Sequence, residues 1–337
     1  MKSDRPFGGI PFLGIGDFRQ AALVVKGTGC APTLQASVKS STSWTSFQIL
    51  KLHTPIQSAQ DPTYTSVIDD VGENFAEKTM SLDILESVAD TDAFLFPPNI
   101  LADPLASLKQ VFLTPKNVHV DEFNNIVLDA LPEDEHWSFP LHGSNILLTS
   151  LSDIFYSADA IKEDTERQHD EATPDYLSLQ THNGIPGHLL WLKRGCVCTI
   201  MRNLSIQNGL VKNVRIVIHN LHRQFIQVQV VDHCLNSLGA VHCIPRIRFE
   251  FSPAYSSWAI NRIQFPLCLA YICTFNSCIG LTLDKTFIDQ RTPVFAHGQS
   301  QLYTALSHVH TRADCRVLFA PDSGPDAINV VYKDLLL

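Results

Sequence analysis

Two stretches of this chain hold the residue types that handle phosphates. The first is Gly16-Asp17-Phe18-Arg19-Gln20, where a carboxylate, a guanidinium and a carboxamide close an apolar run over residues 10–18 (IPFLGIGDF). Such a run predicts a buried strand, and layered α/β proteins bind ligands at the C-terminal ends of their strands. Asp17 and Gln20 are therefore candidates for chemistry, although a loop that only caps a strand has the same wording. The second stretch, residues 176–231, contains no Asp or Glu and carries Lys193, Arg194, Arg202, Lys212, Arg215 and Arg223. It follows a strongly acidic segment, residues 153–175, in a chain whose net charge is −9. A local basic module inside an acidic chain is what a phosphate-binding surface requires; a solvated basic face with no ligand has the same composition.

Other chemistries find less support. His308 and His310 form an H-x-H pair, but positions two apart on a helix point in different directions, so surface histidines are expected and no metal site. The nine cysteines include no C-x-x-C, which suits reduced, mostly buried thiols of an intracellular protein. Neither a G-x-S-x-G elbow nor an H-E-x-x-H zinc motif is present. The opening MKSDRPFGGI lacks the apolar core of a signal peptide. Residues 265–283 are uncharged over roughly the length of a membrane span. Pro266, Asn276, Ser277 and Gly280 interrupt them and no basic flank orients them, so a buried strand followed by a turn is expected, and no membrane.

The elements that must position these residues alternate in type. Residues 39–52 predict a short helical stretch around Trp44 and then a strand, FQILKL; residues 75–89 have helical spacing. Residues 111–131 predict a strand (VFLT), a Pro-Lys-Asn turn and a helix capped by Asp121, with Phe123, Ile126, Val127, Ala130 and Leu131 on its apolar side. From residue 189 to 251 the pattern changes. Runs at 214–218, 225–231 and 241–249 alternate apolar and polar residues, which predicts a small antiparallel barrel or sandwich. The α/β character then returns with the strand at 265–275, a helix at 299–309 and a last strand at 328–332. A small β module thus interrupts an α/β domain.

In order and wording these segments resemble the Pif-one-like ATP-dependent DNA helicases, in particular the fungal and transposon-borne set. Gly16 to Gln20 resembles the family's third helicase motif, G-D-F-R-Q, whose glutamine senses the terminal phosphate of ATP. Leu113-Thr114-Pro115-Lys116-Asn117 with Asn124 is similar to the opening of the second RecA-like lobe. Gly184-Ile185-Pro186-Gly187-His188, Leu192-Lys193-Arg194-Gly195, Arg202-Asn203-Leu204, Gly209-Leu210 and Arg215 resemble the inserted barrel. Ile244-Pro245-Arg246-Ile247 and Gln264-Phe265-Pro266 follow in order. Thr274-Phe275-Asn276 with Gly280 and Thr282 stands at motif five, and Leu302-Tyr303-Thr304-Ala305-Leu306-Ser307 at motif six. The resemblance implies an α/β fold in three parts. Residues 1–60 would be the tail of a truncated first RecA-like lobe. Residues 61–180 and 250–337 would form the second lobe, and residues 181–249 the small antiparallel β-barrel domain inserted in it.

The resemblance also implies ATP and Mg2+ as cofactors and 5'-to-3' unwinding of DNA, in the nucleus or the mitochondrion. The chain departs from the family where the motor works. No G-x-x-x-x-G-K-[ST] loop occurs, and a nucleotide without that loop's amides and lysine loses most of its phosphate grip. Gln57 stands where motif four carries an arginine, and His308 where motif six carries its finger arginine. A neutral imidazole does not replace a fork of donors. Ser277, Cys278, Ile279 and Leu281 replace further polar positions of motif five. The expectation is a chain that binds neither ATP nor Mg2+ alone and does not unwind DNA alone. Gln20 and Gly280 would be its remaining nucleotide-facing residues. DNA binding is the function expected to persist, through Lys193, Arg194, Arg202 and Arg215 in the inserted domain and Thr274 and Asn276 at motif five. Trp191 or Phe225 would stack on bases, with core packing the other reading of both and the preferred one for Trp191. Three readings stay open: a helicase part whose ATP lobe comes from a longer product or a partner, a catalytically dead single-strand-binding module, and a non-functional remnant.

Overall fold

The computed structural model describes residues 6–20, 30–52, 54–73, 80–81, 93–115, 120–132, 152–162, 173–232, 237–253, 256, 258–291, 301–320, 326–327 and 331–336. By contact the chain divides into two units. One comprises Met1–Leu95, Val111–Val120 and Cys273–Leu337; the other comprises Phe96–Gln110 and Asp121–Ile272.

The first unit is built on a four-stranded sheet in the order Ile272–Thr274, Gln110–Thr114, Lys285–Gln290, Cys315–Phe319. The last two strands are parallel, with Thr286 opposite Cys315 and Gln290 opposite Phe319. Every residue of QVFLT is buried, the mark of a strand covered on both faces. The Pro62–Glu73 helix starts where the Asp61 carboxylate accepts the Tyr64 amide at 2.9 Å, which satisfies an otherwise orphaned donor. Its apolar stripe, Tyr64, Ile68 and Val71, recurs at helical spacing and packs in one core with Leu302, Tyr303 and Leu306 of the Gln301–Leu306 helix and with Val111, Leu113, Ile288 and Val317 of the sheet. The Tyr64 hydroxyl donates to the Leu306 carbonyl at 2.9 Å and ties the two helices.

The second unit is almost entirely antiparallel. Its five-stranded sheet runs Leu267–Leu269, Val197–Ile200, Arg215–Leu221, Phe225–Asp232, Ser237–Pro245. The ladder between Arg215–Leu221 and Phe225–Asp232 carries a bulge between Ile218 and Asn220, and the next ladder one between Gln229 and Val231. A three-stranded sheet joins Ile247–Phe251, Ile260–Gln264 and Ala158–Ile161, and a two-stranded one joins Ser152–Tyr156 to Leu189–Lys193. The alternating patterns between 214 and 249 therefore do form antiparallel strands. Among the described residues they make separate open sheets, not the closed barrel that was expected. The antiparallel ladder also continues past residue 249 to Leu269.

Arg262 links the pieces of this unit. Its side chain is 0% exposed, and its Nε and Nη2 each lie 2.9 Å from the two oxygens of the buried Asp159 carboxylate. The guanidinium also donates to the carbonyls of Pro186 and Leu177, both at 3.1 Å. A buried guanidinium survives only when its donors are matched, and this fork meets a carboxylate two-to-two. Ser157 Oγ donates to the same carboxylate at 2.7 Å, and His188 Nδ1 lies 3.3 Å from it. Gln264 acts alike one turn of chain further: its Nε2 donates to the Phe155 and His188 carbonyls, and its Oε1 accepts from Arg246.

Several sequence expectations change here. Residues 10–18 do not form a buried strand: Ile10, Phe12, Leu13 and Ile15 are exposed, Ile15 at 89%. FQILKL likewise joins no ladder, and Leu52 is 95% exposed. Both runs are apolar on both faces, so each needs neighbours on both sides, and none pairs with them among the described residues. They are held instead by an aromatic cluster, with Phe7 stacked on Phe12 at 4.6 Å and both rings within 6.0 Å of Phe47. The uncharged run is mostly buried over 265–275, as expected, but broken into Leu267–Leu269 and Ile272–Thr274 before an exposed turn. Among the described residues no helix is long and apolar enough to cross a membrane. The expected helix at 75–89, nearly all of it, the Pro-Lys-Asn turn beyond Pro115, the Asp121 cap's side chain and most of the strand at 328–332 lie outside the described residues.

Candidate functional site

Two sets of candidate residues come together, one in each unit. In the first unit the Phe18–Gln20 turn is capped by Asp17, whose Oδ1 accepts the Arg19 amide at 2.9 Å. Its other oxygen accepts the Tyr303 hydroxyl at 3.0 Å. Arg19 lies over the Tyr303 ring at 4.9 Å and reaches Asp69 of the Pro62–Glu73 helix at 2.9 Å. Gln20 Nε2 donates to Ser307 Oγ at 3.2 Å. Asp17 and Gln20 are thus joined to the Gln301–Leu306 helix, which sequence spacing alone does not place beside them. Tyr303, which the sequence places in the motif-six run, and Asp69, which it does not single out, complete the hub; their partners lie far away in the chain. Burial, followed by the Asp17 charge, pushes the Tyr303 hydroxyl well above its ordinary pKa, so it stays a donor.

The histidines behave otherwise than expected. His308 is not on the surface: it is 2% exposed, and its Nδ1–H donates back to the Thr304 carbonyl one helical turn earlier. Burial holds its pKa below the ordinary histidine value, so the ring is neutral. His310 is half-buried and donates from Nδ1 to the Gln57 carbonyl at 2.7 Å. Gln57 is half-buried too, and its Nε2 has no hydrogen-bond partner among the described residues. Thr274 Oγ1 and Ser277 Oγ lie 3.0 Å apart at the start of the 275–280 turn, where Asn276 and Gly280 are exposed and Gly280 takes φ +89°. A nucleotide's phosphates need convergent donors. Here the Gln20 amide is turned onto Ser307 and the ring at 308 onto its own helix.

The second unit carries the basic module, and its cations divide sharply. Lys193 is a correction: it is 5% exposed, its ammonium lies 3.4 Å from the Asp129 carbonyl and 5.8 Å from the Trp191 ring, and it presents no charge to solvent. Arg215 is also structural, donating from Nη1 to the Leu108 carbonyl and from Nη2 to the Ala270 carbonyl at 2.6 Å. Arg194 is half-buried, and with burial it holds His219 below its ordinary pKa. Arg202, Lys212 and Arg223 are exposed. Trp191 is half-buried within the Leu189–Lys193 strand. Phe225 stands at the end of a hairpin, stacked on His222 at 4.4 Å beside Arg223.

Arg202 and Lys212 share a cleft of about 530 Å³ walled by the 182–185 turn, the 201–203 corner and Glu250. The turn closes through Ile185 N–H to the His182 carbonyl at 3.2 Å, and Gly184 takes φ +77°, a conformation that suits glycine. Asn203 Oδ1 accepts the Lys212 amide at 2.7 Å and ties the two cationic walls together. The sequence counts Arg202 and Lys212 in one basic stretch and Gly184-Ile185 in a motif, but only the folded sheet brings these residues into one wall.

The mixed α/β architecture, a four-stranded sheet with its helices and an antiparallel unit, is shared with solved helicase structures. The crystal structure of Pif1 helicase from Candida albicans matches 98% of this chain and 68% of that one, at 18% identity and a TM-score of 0.58. The crystal structure of Bacteroides Pif1 bound to ssDNA matches 86% of this chain and 54% of that one, at 15% identity and a TM-score of 0.50. These likenesses establish the shared fold. The PIF1-like helicase family model matches residues 1–81. The ATP-dependent DNA helicase PIF1 of Danio rerio is 30% identical over 154 residues, 45% of this chain and 23% of the relative. The Homo sapiens protein of the same name is 30% identical over 151 residues, 44% of this chain and 22% of the relative. The chain is similar to PIF1-like helicases, and the matched stretch spans under a quarter of those relatives' length.

Proposed function

We propose that this chain is the DNA-binding part of a PIF1-like helicase: it holds single-stranded DNA and does not hydrolyse ATP by itself. The observation that carries this reading is the exposure of Arg202, Lys212 and Arg223 on the antiparallel unit, drawn from a stretch without a single carboxylate. Single-strand binding combines such cations with stacking rings, and the Phe225–His222 pair beside Arg223 supplies one. The fold shared with a Bacteroides Pif1 bound to ssDNA agrees with it.

In the same reading, residues 1–60 are the tail of a first RecA-like lobe, 61–180 and 250–337 the second, and 181–249 a small inserted antiparallel domain. The exposed aliphatic side chains at 10–15 and 49–52 favour a further lobe that covers them, from a longer product or a partner. That lobe would bring the ATP and Mg2+ site and with it 5'-to-3' unwinding, in the nucleus or the mitochondrion. Anisotropy of a fluorescein-labelled dT15 at several salt concentrations tests the DNA reading. Binding that weakens steeply with salt supports it, and no binding at low salt by folded protein refutes it. A parallel ATPase assay should give no turnover above buffer; turnover by this chain alone would overturn the second half of the proposal.

A further inference from the structure

The geometry points to one place on the antiparallel unit where the strand is gripped: we infer that the cleft between the 182–185 turn and Lys212 is a phosphate subsite, seating a phosphodiester between Arg202 and Lys212. This rests on the single-strand reading above and locates it. The cleft's volume, about 530 Å³, lies within the range of sites for molecules of nucleotide size. Its two cations are exposed, and neither forms an ion pair among the described residues.

Arg202 is held at its guanidinium before any ligand arrives, and Lys212 at its backbone only. The Arg202 guanidinium lies over the Phe249 ring at 5.2 Å, which leaves its edge donors outward-facing for a planar or tetrahedral anion. Lys212 is fixed at its backbone by Asn203 at 2.7 Å, and the intervening chain is closed by the Ser205–Leu210 bridge. Pre-positioned cations lose less conformational entropy on binding than free surface side chains do. The lining has one carboxylate, Glu250, and Lys162 pairs with it at 2.7 Å. A site for a cation would leave that carboxylate open; here it is matched, and the balance of the cleft is positive. His182 spends Nδ1 on the Asn183 carbonyl at 2.9 Å, which leaves Nε2 as the ring's remaining polar atom.

The test is dT15 anisotropy on the full chain as a function of salt, for wild type, Arg202→Gln, Lys212→Gln, the double variant and Glu250→Gln. Losing this phosphate contact in the double variant should weaken low-salt binding and lower the log–log salt slope by about 0.7, the value per single-strand phosphate. Glu250→Gln should instead tighten binding about twofold, the effect of removing a like charge several ångströms from the phosphate in a solvated cleft. Wild-type affinity and slope in the double variant, with DNA still bound, would overturn the cleft and leave the single-strand reading standing. No binding by wild type would remove both. Amine acetylation read by mass spectrometry gives a second measure: dT15 should protect Lys212 and leave Lys51 unchanged, and equal labelling of Lys212 with and without DNA refutes the assignment. Inorganic phosphate and dTMP, at constant ionic strength, separate the sources of the anion. Millimolar amounts should compete only weakly with dT15; full displacement would make this a free-phosphate site and not a strand subsite.

Discussion

Replacing Arg262 with methionine should unfold the antiparallel unit well before wild type does. The side chain is fully enclosed and makes four hydrogen bonds, two of them to a carboxylate that is itself buried. Methionine fills most of the volume, so the loss is electrostatic. Asp159 keeps Ser157 and His188 but loses its cation, and the Leu177 and Pro186 carbonyls lose a donor. Stranding one partner of a buried ion pair costs about 3–5 kcal/mol. For a unit of this size that corresponds to about 6–20 °C in Tm, at about 2–4 °C per kcal/mol. The assay is thermal and urea unfolding followed by tryptophan fluorescence, in a cycle with Asp159→Asn and the double variant. Removing both partners should restore much of the loss, since a matched pair is worth little against a neutral replacement. The same bonds bracket the 182–185 turn, so Arg262→Met should also weaken dT15 binding below the unfolding temperature. A single variant within about 1 kcal/mol of wild type, or strictly additive losses, would refute the reasoning.

Two further outcomes follow from the first unit. At Gly72 an added Cβ would lie 2.8 Å from the Tyr303 ring and 2.9 Å from Arg19 Cδ. Helix propensity favours alanine by about 1 kcal/mol, but overpacking costs about 1–3 kcal/mol, so Gly72→Ala should lower the urea midpoint; a raised midpoint would show that the Tyr303–Asp17–Arg19 hub gives way freely. His308 carries a folded pKa below its ordinary value because it is buried, so the unfolded chain binds the extra proton. Its contribution is present above the unfolded pKa, about 6.5, and is lost as pH falls below it. Tm of this unit should drop between pH 7.5 and 5.5, and His308→Gln should flatten that drop; an equal slope in the variant sinks the assignment.

The parts legible in the sequence were those with local causes. VFLT reads as a strand because its run is short, β-branched and aromatic, and it lies in one, Gln110–Thr114. The alternation after residue 214 reads as antiparallel strands because period two leaves no other arrangement, and the pairing follows. Runs at 10–18 and 47–52 misled for the opposite reason: an apolar strand needs neighbours, and a single-strand pattern carries no information about whether they are there.

What the sequence alone determined about this protein is its family wording, the carboxylate-free basic stretch and the type of most elements. What only the tertiary structure decided is which of those basic residues face out. Lys193 and Arg194 are adjacent to each other and nine or so residues from Arg202, yet one is enclosed, one half-buried and one exposed. Charge composition is a property of the chain, whereas exposure depends on which sheet face each residue occupies and what packs over it. The same holds for His308, whose place in the motif predicts a solvent-facing group and whose packing against its own helix makes it part of the core.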